Sequence, residues 1–408
     1  MKAVAAKGSV FLLLLYILWY KEAFGDFLPA LYGGTALIVI TTLLYVDHKP
    51  LKAIIPPNGI LWGIGFGIYS LVTGLMVASN RELLVSSIVT YMAFLLVCCC
   101  ICIICRGEKN ILWLLKCITI VCLVCAAYTL FLGKPYYNGI YVTTMGPENN
   151  PNTLGILMVY GMFSVLYNKK SKVGELLFTL ASGVLFFYVI ILSGSRKSLL
   201  SGGLLFLMWL IAFIRDTRNL TNRKEKKIKY LLVMAVLIVG ITYFLKDYVN
   251  TASFERLKRF ATLGLPTSRT GMYSEAVDFF KQSKLFGIGY NQFRVQSSFN
   301  KYAHSTYAEV LADGGIFGCV IYFYPVVQTG VTLAKKLRKD QSYQVGMLLA
   351  LFLVEIFLGT AIIFMYSLGH LIIWSILYMA VEGVFLVDTA DQSKGEKLCQ
   401  KYAQSSGS

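Results

Sequence analysis

The sequence predicts an all-α polytopic membrane protein with about twelve transmembrane helices. Three observations carry that prediction. Hydrophobic residues make up 57% of the 408 positions and charged residues 14%, against the roughly 25% charged of an ordinary soluble chain. The apolar residues fall in uncharged runs of roughly 17 to 25, enough to cross a hydrocarbon core about 30 Å thick. The 38 Lys and Arg collect mostly on one side of those runs, which the positive-inside rule makes cytoplasmic.

The runs lie near 8–24, 28–46, 58–78, 83–105, 110–132, 151–168, 173–193, 197–214, 230–246, 306–334, 344–367 and 370–387. The first, SVFLLLLYILWY, has no small-residue cleavage site after it and reads as a retained helix. Both termini and the loops DHKPLK, RGEK, KKSK, RDTRNLTNRKEKKIK and KKLRK share the basic side. Residues 1–388 therefore form a single integral membrane domain, and 389–408 a polar cytoplasmic tail. One long extracytoplasmic loop, about 247–305, holds two amphipathic segments. SFERLKRFATL places Phe254, Leu257 and Ala261 on one helical face. SRTGMYSEAVDFFKQSKLFG places Met272, Ala276, Phe279 and Phe280 on one face and ends at Gly287. Both read as helices lying on the outer membrane surface. A smaller outer loop, GKPYYNGIYVTTMGPENNPNTLG, is punctuated by turn dipeptides and closes at Pro151.

The net charge of +17 belongs to the cytoplasmic loops of a membrane protein meeting anionic lipid, so nucleic acid is excluded as a partner. Most of the ten cysteines lie in CCCICIIC and CITIVCLVC without nearby His or carboxylate. They read as small packing residues in a reduced setting, not as a metal site.

Chemistry is expected on the outer face. Arg196, in LSGSRKSLLSGG, stands between two apolar spans, where a charge is functional by default; its alternative is to snorkel with Lys197 at a helix end. Arg269, in LPTSRTG, falls in the first turn of a helix, where a cation is mildly disfavoured unless an anion joins it. Arg294 follows in GIGYNQFR, and Arg256 and Arg259 lie on the polar side of the first amphipathic segment. His304 precedes a helix in which Thr306 and Glu309 are spaced as a capping box; its ordinary pKa suits a proton acceptor. Tyr136, Tyr137, Tyr141, Tyr290, Phe293 and Tyr302 are suited to stacking on sugar rings. No metal or organic cofactor is called for: outer-loop carboxylate pairs, zinc spacing and phosphate-loop motifs are all missing from the sequence.

Taken in order, NNPNTLG (149–155), LSGSRKSLLSG (192–202), SRTGMYSEAVDFFKQSKLFGIGYNQF (268–293) and HSTYAEVLADGGIFG (304–318) resemble the O-antigen ligase and polymerase superfamily of bacterial envelope enzymes. The resemblance implies a fold akin to the GT-C-like lipid-sugar glycosyltransferases. It implies metal-free transfer of a glycan from undecaprenyl pyrophosphate to an acceptor hydroxyl at the outer face of the cytoplasmic (inner) membrane. On those motifs Arg196 and Arg269 would hold the pyrophosphate and His304 would activate the acceptor. Arg294, Glu309, Tyr290, Asn152, Arg256 and Arg259 are further candidate substrate contacts. One departure is Ser305, where many members carry Asn. The resulting expectation is a polymerase of lipid-linked repeat units into capsule or O-antigen. Its partners are the bilayer, the lipid-linked oligosaccharide, and the flippase and chain-length regulator of the same pathway. A ligase acting on another acceptor is the alternative enzyme. A flippase or transporter is the alternative from another class, and Glu355, in LALFLVEIFLGT, is the residue that speaks for it.

Overall fold

The computed structural model describes residues 1–47, 49–137, 141–146, 150–167, 172–218, 223–247, 267–340 and 342–383, with 254, 258 and 262. Each of the twelve apolar runs contains a helix among its described residues. In chain order the helices are α1 (Lys2–Phe24), α2 (Leu28–Val46), α3 (Asn58–Val77), α4 (Arg81–Ile104), α5 (Glu108–Leu132), α6 (Pro151–Leu166), α7 (Val173–Ser193), α8 (Arg196–Arg218), α9 (Arg223–Asp247), α10 (Thr267–Gln282), α11 (Phe293–Gln296), α12 (Thr306–Asp340), α13 (Tyr343–Gly359) and α14 (Leu368–Gly383). Eight of the described helices are long and apolar enough to cross a membrane, and α6, α13 and α14 are shorter apolar helices beside them. The molecule is an all-α polytopic membrane protein. The loop after α5 holds one antiparallel hairpin, β1 (Lys134–Tyr137) with β2 (Tyr141–Thr144).

Helix α6 is the centre of the bundle. Every residue from Leu154 to Leu166 is buried, as expected of a helix apolar on all sides. Its start is well specified: Pro151 takes the first helical position, where no N–H is needed, and the Asn150 side chain accepts from the Asn152 N–H at 2.9 Å. Within the bundle Tyr160 of α6 donates to Glu355 Oε1 of α13 at 2.7 Å and lies 2.5 Å from His370 Nδ1 of α14. A hydroxyl has one proton, so with that proton on Glu355 the His370 Nδ1 must supply its own. Glu355, the residue that would speak for transport, thus joins three helices. The cysteines of α4 and α5 are free and mostly buried among apolar neighbours.

Two expected spans are corrected. The run 306–334 is not one helix. Gly315 (φ 60°, ψ −161°) breaks α12 into a short arm (306–314) and a long arm (316–340). Tyr307 and Phe323 nevertheless stack at 5.5 Å, whereas positions so spaced on a straight helix would stand roughly 24 Å apart. The short arm therefore folds back on the long one. The run 344–367 ends as a helix at Gly359, and a 3-10 turn (Phe364–Tyr366) follows a non-helical stretch.

Candidate active site

That non-helical stretch organises the site. Three consecutive carbonyls take donors from three different helix starts. Thr360 O accepts the Tyr273 hydroxyl of α10 at 3.1 Å. Ala361 O accepts the Lys197 ammonium of α8 at 2.8 Å. Ile362 O accepts both the N–H and the hydroxyl of Thr306, at 2.9 and 2.6 Å, and Thr306 Oγ1 in turn accepts the Phe364 N–H at 3.1 Å. The N-termini of α8, α10 and α12 are gathered by one loop, and each carries partial positive charge.

The sequence around Arg196 explains how α8 starts there. Gly194 (φ 64°) ends α7 in the left-handed region, and Ser195 accepts the Ser198 N–H at 3.4 Å as a helix cap. Ser193, Ser195 and Ser198 are buried and small. A Cβ on Gly155 of α6 would lie 2.6 Å from Ser198 Oγ and 2.8 Å from Ser193 Oγ. This close approach brings the NNPNTLG and LSGSRKS stretches together, with Arg196 and Lys197 half-buried in the first turn of α8 and Arg269 half-buried in the first turn of α10.

His304 sits against this cluster. Burial and the positive charges of Arg269, Lys197 and Lys301 lower its pKa from 6.5 to about 4, leaving a neutral imidazole at pH 7. Its ring lies 4.4 Å from the exposed Tyr302 ring. Its φ of 54° is unusual for a residue with a side chain, a conformation that costs about 1–3 kcal/mol and persists only where the surroundings fix it. They do so on both sides. The Ala303 N–H donates to Glu309 Oε2 at 2.7 Å, and Ser305 and Thr306 are tied to the 359–362 carbonyls.

Two glycine turns hold the frame below. Ile288 N and Gly289 N donate to Ala312 O and Asp313 O, while Ile316 N and Phe317 N donate to Lys284 O and Leu285 O. Backbone meets backbone so closely that a Cβ on Gly287 would lie 2.4 Å from the Asp313 carbonyl, and one on Gly315 2.6 Å from that of Leu285. Asp313 accepts the Asn291 and Phe293 N–H groups at 2.6 and 3.0 Å. Tyr366 donates to Glu309 at 3.2 Å and reaches Asp313 at 3.5 Å. Burial and these two carboxyls push the Tyr366 hydroxyl well above its ordinary pKa, so it stays a donor.

Several sequence expectations change here. Glu309 does not close a capping box with Thr306; Ser305 lies nearest the first free N–H groups of α12, 3.4 Å from Ala308 N, and Glu309 is fully buried against Ala303 and Tyr366. It stands behind His304 and not at a surface open to substrate. Tyr290 and Phe293 are buried, Tyr290 packed among Phe66, Tyr91 and Tyr366, and offer no face to a sugar. Helix α10 does not rest its apolar face on the membrane surface: Met272 and Ala276 pack with Ile288, Phe293, Ala303 and Ala312 in a separate small core. Arg294 is exposed on α11, with its charge acting on Glu309. Asn152 lies in the first turn of α6, one turn before Gly155. Arg256 and Arg259 lie outside the described residues, as do most of the first amphipathic segment and the tail. Asp313, Tyr273 and Tyr366 were missed, and Lys197 was weighed only as a snorkelling neighbour of Arg196, in whose turn it stands.

The α7–α8 turn and both glycine turns, with His304 between those turns in sequence, fall in one stretch of the chain. Residues 181–323 match the O-antigen ligase family. The match is consistent with the O-antigen ligase and polymerase superfamily and contains Arg196, Arg269, Arg294, His304 and Glu309. It does not reach the 360–367 loop. No match was found among curated proteins.

Proposed function

We propose that this membrane protein polymerises undecaprenyl-pyrophosphate-linked oligosaccharide repeat units at the extracytoplasmic face of the cytoplasmic membrane, with both termini in the cytoplasm. The observation that carries the reading is that the carbonyls of Thr360, Ala361 and Ile362 gather the starts of α10, α8 and α12 in one loop, with the charge of Arg269 acting on a neutral His304. Helix starts bearing cations suit a diphosphate, and guanidinium groups bind phosphate oxygens in a fork while staying charged. Residues 1–388 act as one membrane domain in this account, with 247–305 as the catalytic loop.

In the reaction, the acceptor hydroxyl gives its proton to the free imidazole nitrogen of His304 and its oxygen attacks the anomeric carbon of the donor. The bond from that carbon to the diphosphate breaks, and its electron pair leaves on the phosphate oxygen. Arg196, Lys197 and Arg269 stabilise the growing negative charge, a contribution that is often the largest in a water-poor site. Proton removal by the histidine adds about 10² to 10⁴ in rate. The leaving diphosphate is weakly basic and needs no proton.

The family match is to a ligase by description, which favours a second reading: transfer of the lipid-linked glycan to a different acceptor. Purified protein in lipid nanodiscs, given lipid-linked repeat unit as sole substrate, separates them. A ladder of products supports the polymerase. Product only after another acceptor is added supports the ligase, and no glycosidic bond under either condition removes both.

A further inference from the structure

At the end of α8 away from Arg196, the start of α9 forms an open groove of about 460 Å³, lined by Arg223, Lys226, Lys227, Tyr230, Leu231 and Met234. Tyr230 sets α9 against α8: its hydroxyl reaches Ile214 O at 3.4 Å and its ring meets Phe213 edge-on at 6.4 Å. Helix α8 runs 23 residues from Arg196 to Arg218, roughly 33 Å of rise. About one hydrocarbon thickness therefore separates this groove from the site described above. The six lining positions recur at helical spacing and fall within about 140° of the circumference of α9. Along the axis they sort by polarity. Arg223, Lys226 and Lys227 occupy the first roughly 6 Å of the helix. Tyr230 follows, then Leu231 and Met234, 59% and 53% exposed on the apolar run. The headgroup layer of one leaflet is about 5–7 Å deep, so cations, ring and apolar side chains match headgroup, interface and acyl chains in turn.

We propose that this groove binds an anionic phospholipid, its phosphate held by Arg223, Lys226 and Lys227 and an acyl chain laid along Leu231 and Met234. Charge selects the lipid class. One guanidinium and two ammonium groups draw a headgroup of net negative charge such as that of phosphatidylglycerol, whereas phosphatidylcholine brings its own cation into the same layer. A water-soluble anion would meet the cations alone and leave Leu231 and Met234 with no part in binding. The bound lipid fixes the depth in the bilayer of the helix that leads into the 247–305 loop. The site stands apart from the glycan reaction and does not depend on it.

Native mass spectrometry of the full chain counts bound lipid during titration with phosphatidylglycerol or phosphatidylcholine of identical acyl chains. Wild type should take up its first phosphatidylglycerol at least about tenfold more tightly than phosphatidylcholine. The triple variant Arg223→Gln, Lys226→Gln, Lys227→Gln should lose at least about tenfold of that affinity. The charge-keeping triple Arg223→Lys, Lys226→Arg, Lys227→Arg should retain it. Equal affinity of wild type for the two lipids, or a glutamine variant that binds as wild type does, overturns the proposal. Cross-linking of wild type with phosphatidylglycerol bearing a diazirine on an acyl chain gives an answer that needs no variant to fold. Labelling of 230–234 that unlabelled phosphatidylglycerol competes, and that glycerophosphoglycerol (the same headgroup without chains) does not, supports the site. Labelling only elsewhere overturns it. Equal displacement by glycerophosphoglycerol or inorganic phosphate also overturns it, leaving a phosphate site without a lipid.

Discussion

The Lys197 ammonium donates to the Ala361 carbonyl at 2.8 Å, joining the start of α8 to the loop that also holds the starts of α10 and α12. Lys197 therefore both fixes the loop and adds charge where the diphosphate is placed. Lys197→Met should lower kcat at least about tenfold, and Lys197→Arg should recover part of it by keeping the charge. Arg196→Ala and Arg269→Ala should each lose about 10² or more, with the protein still membrane-inserted and monodisperse. Product of normal length and rate from either arginine variant would remove them from the site. Rates on lipid-linked donor, beside size-exclusion profiles, give the answer.

Glu309 supports His304 through Ala303 and does not touch substrate in this account. Glu309→Gln keeps the side chain's size but its carbonyl is the weaker acceptor for the Ala303 N–H. It should lower kcat by about tenfold with KM for donor nearly unchanged, whereas a substrate contact would raise KM. Glu309→Ala should be worse than Glu309→Gln, because it strands buried donors at about 1–3 kcal/mol.

The depressed pKa of His304 has a signed consequence. The unfolded chain takes up the proton near 6.5 and the folded chain near 4, so its contribution to stability is intact above about 6.5 and is lost as pH falls toward about 4. The acid limb of kcat/KM, which reports the free enzyme, should lie near 4. Donor phosphate offsets the neighbouring cations, so the limb of kcat should lie higher. Arg269→Gln should also raise the His304 pKa. The chain has 3 histidines, so NMR titration with His48 and His370 replaced resolves it directly.

Gly315 has a φ of 60° and faces the Leu285 carbonyl with no room for a Cβ. Gly315→Ala should separate the two arms of α12, expose the segment 284–289 to protease and abolish activity. The same loss without any change in proteolysis would mean the glycine acts otherwise.

Glu355, Tyr160 and His370 join α13, α6 and α14. Glu355→Ala should lower the thermal unfolding temperature, since partners left buried and unpaired cost about 1–3 kcal/mol each. A gradient-dependent transport activity lost in this variant without loss of stability would restore the transport reading.

The bundle was legible because membrane helices must be apolar and long, and each of the twelve runs holds a helix among its described residues. Arg196, Arg269 and His304 were legible because charged or titratable residues beside small ones at span ends are rare. The tertiary part was not. Hydropathy counts Thr360 to Ser367 as part of a span, so it cannot see that three carbonyls there leave the helix to gather Tyr273, Lys197 and Thr306. The fold-back of α12 rests on one glycine's φ, which composition does not encode. Tyr290 read as a sugar platform because an outer-loop tyrosine looks the same whether it faces solvent or packs on Phe66. Glu309 read as a cap because its spacing from Thr306 fits one, although its carboxylate turns back to Ala303.

The central claim is that His304 and the cations beside it move a glycan from a lipid diphosphate to a hydroxyl. The direct measurement is a single-turnover reaction of purified protein with radiolabelled lipid-linked repeat unit, counting polyprenyl diphosphate released against glycosidic bonds formed. The account predicts one for one in wild type, unaltered by EDTA, and neither product from His304→Ala although that variant still binds donor. Bonds formed without diphosphate release, or full turnover by His304→Ala, would contradict it.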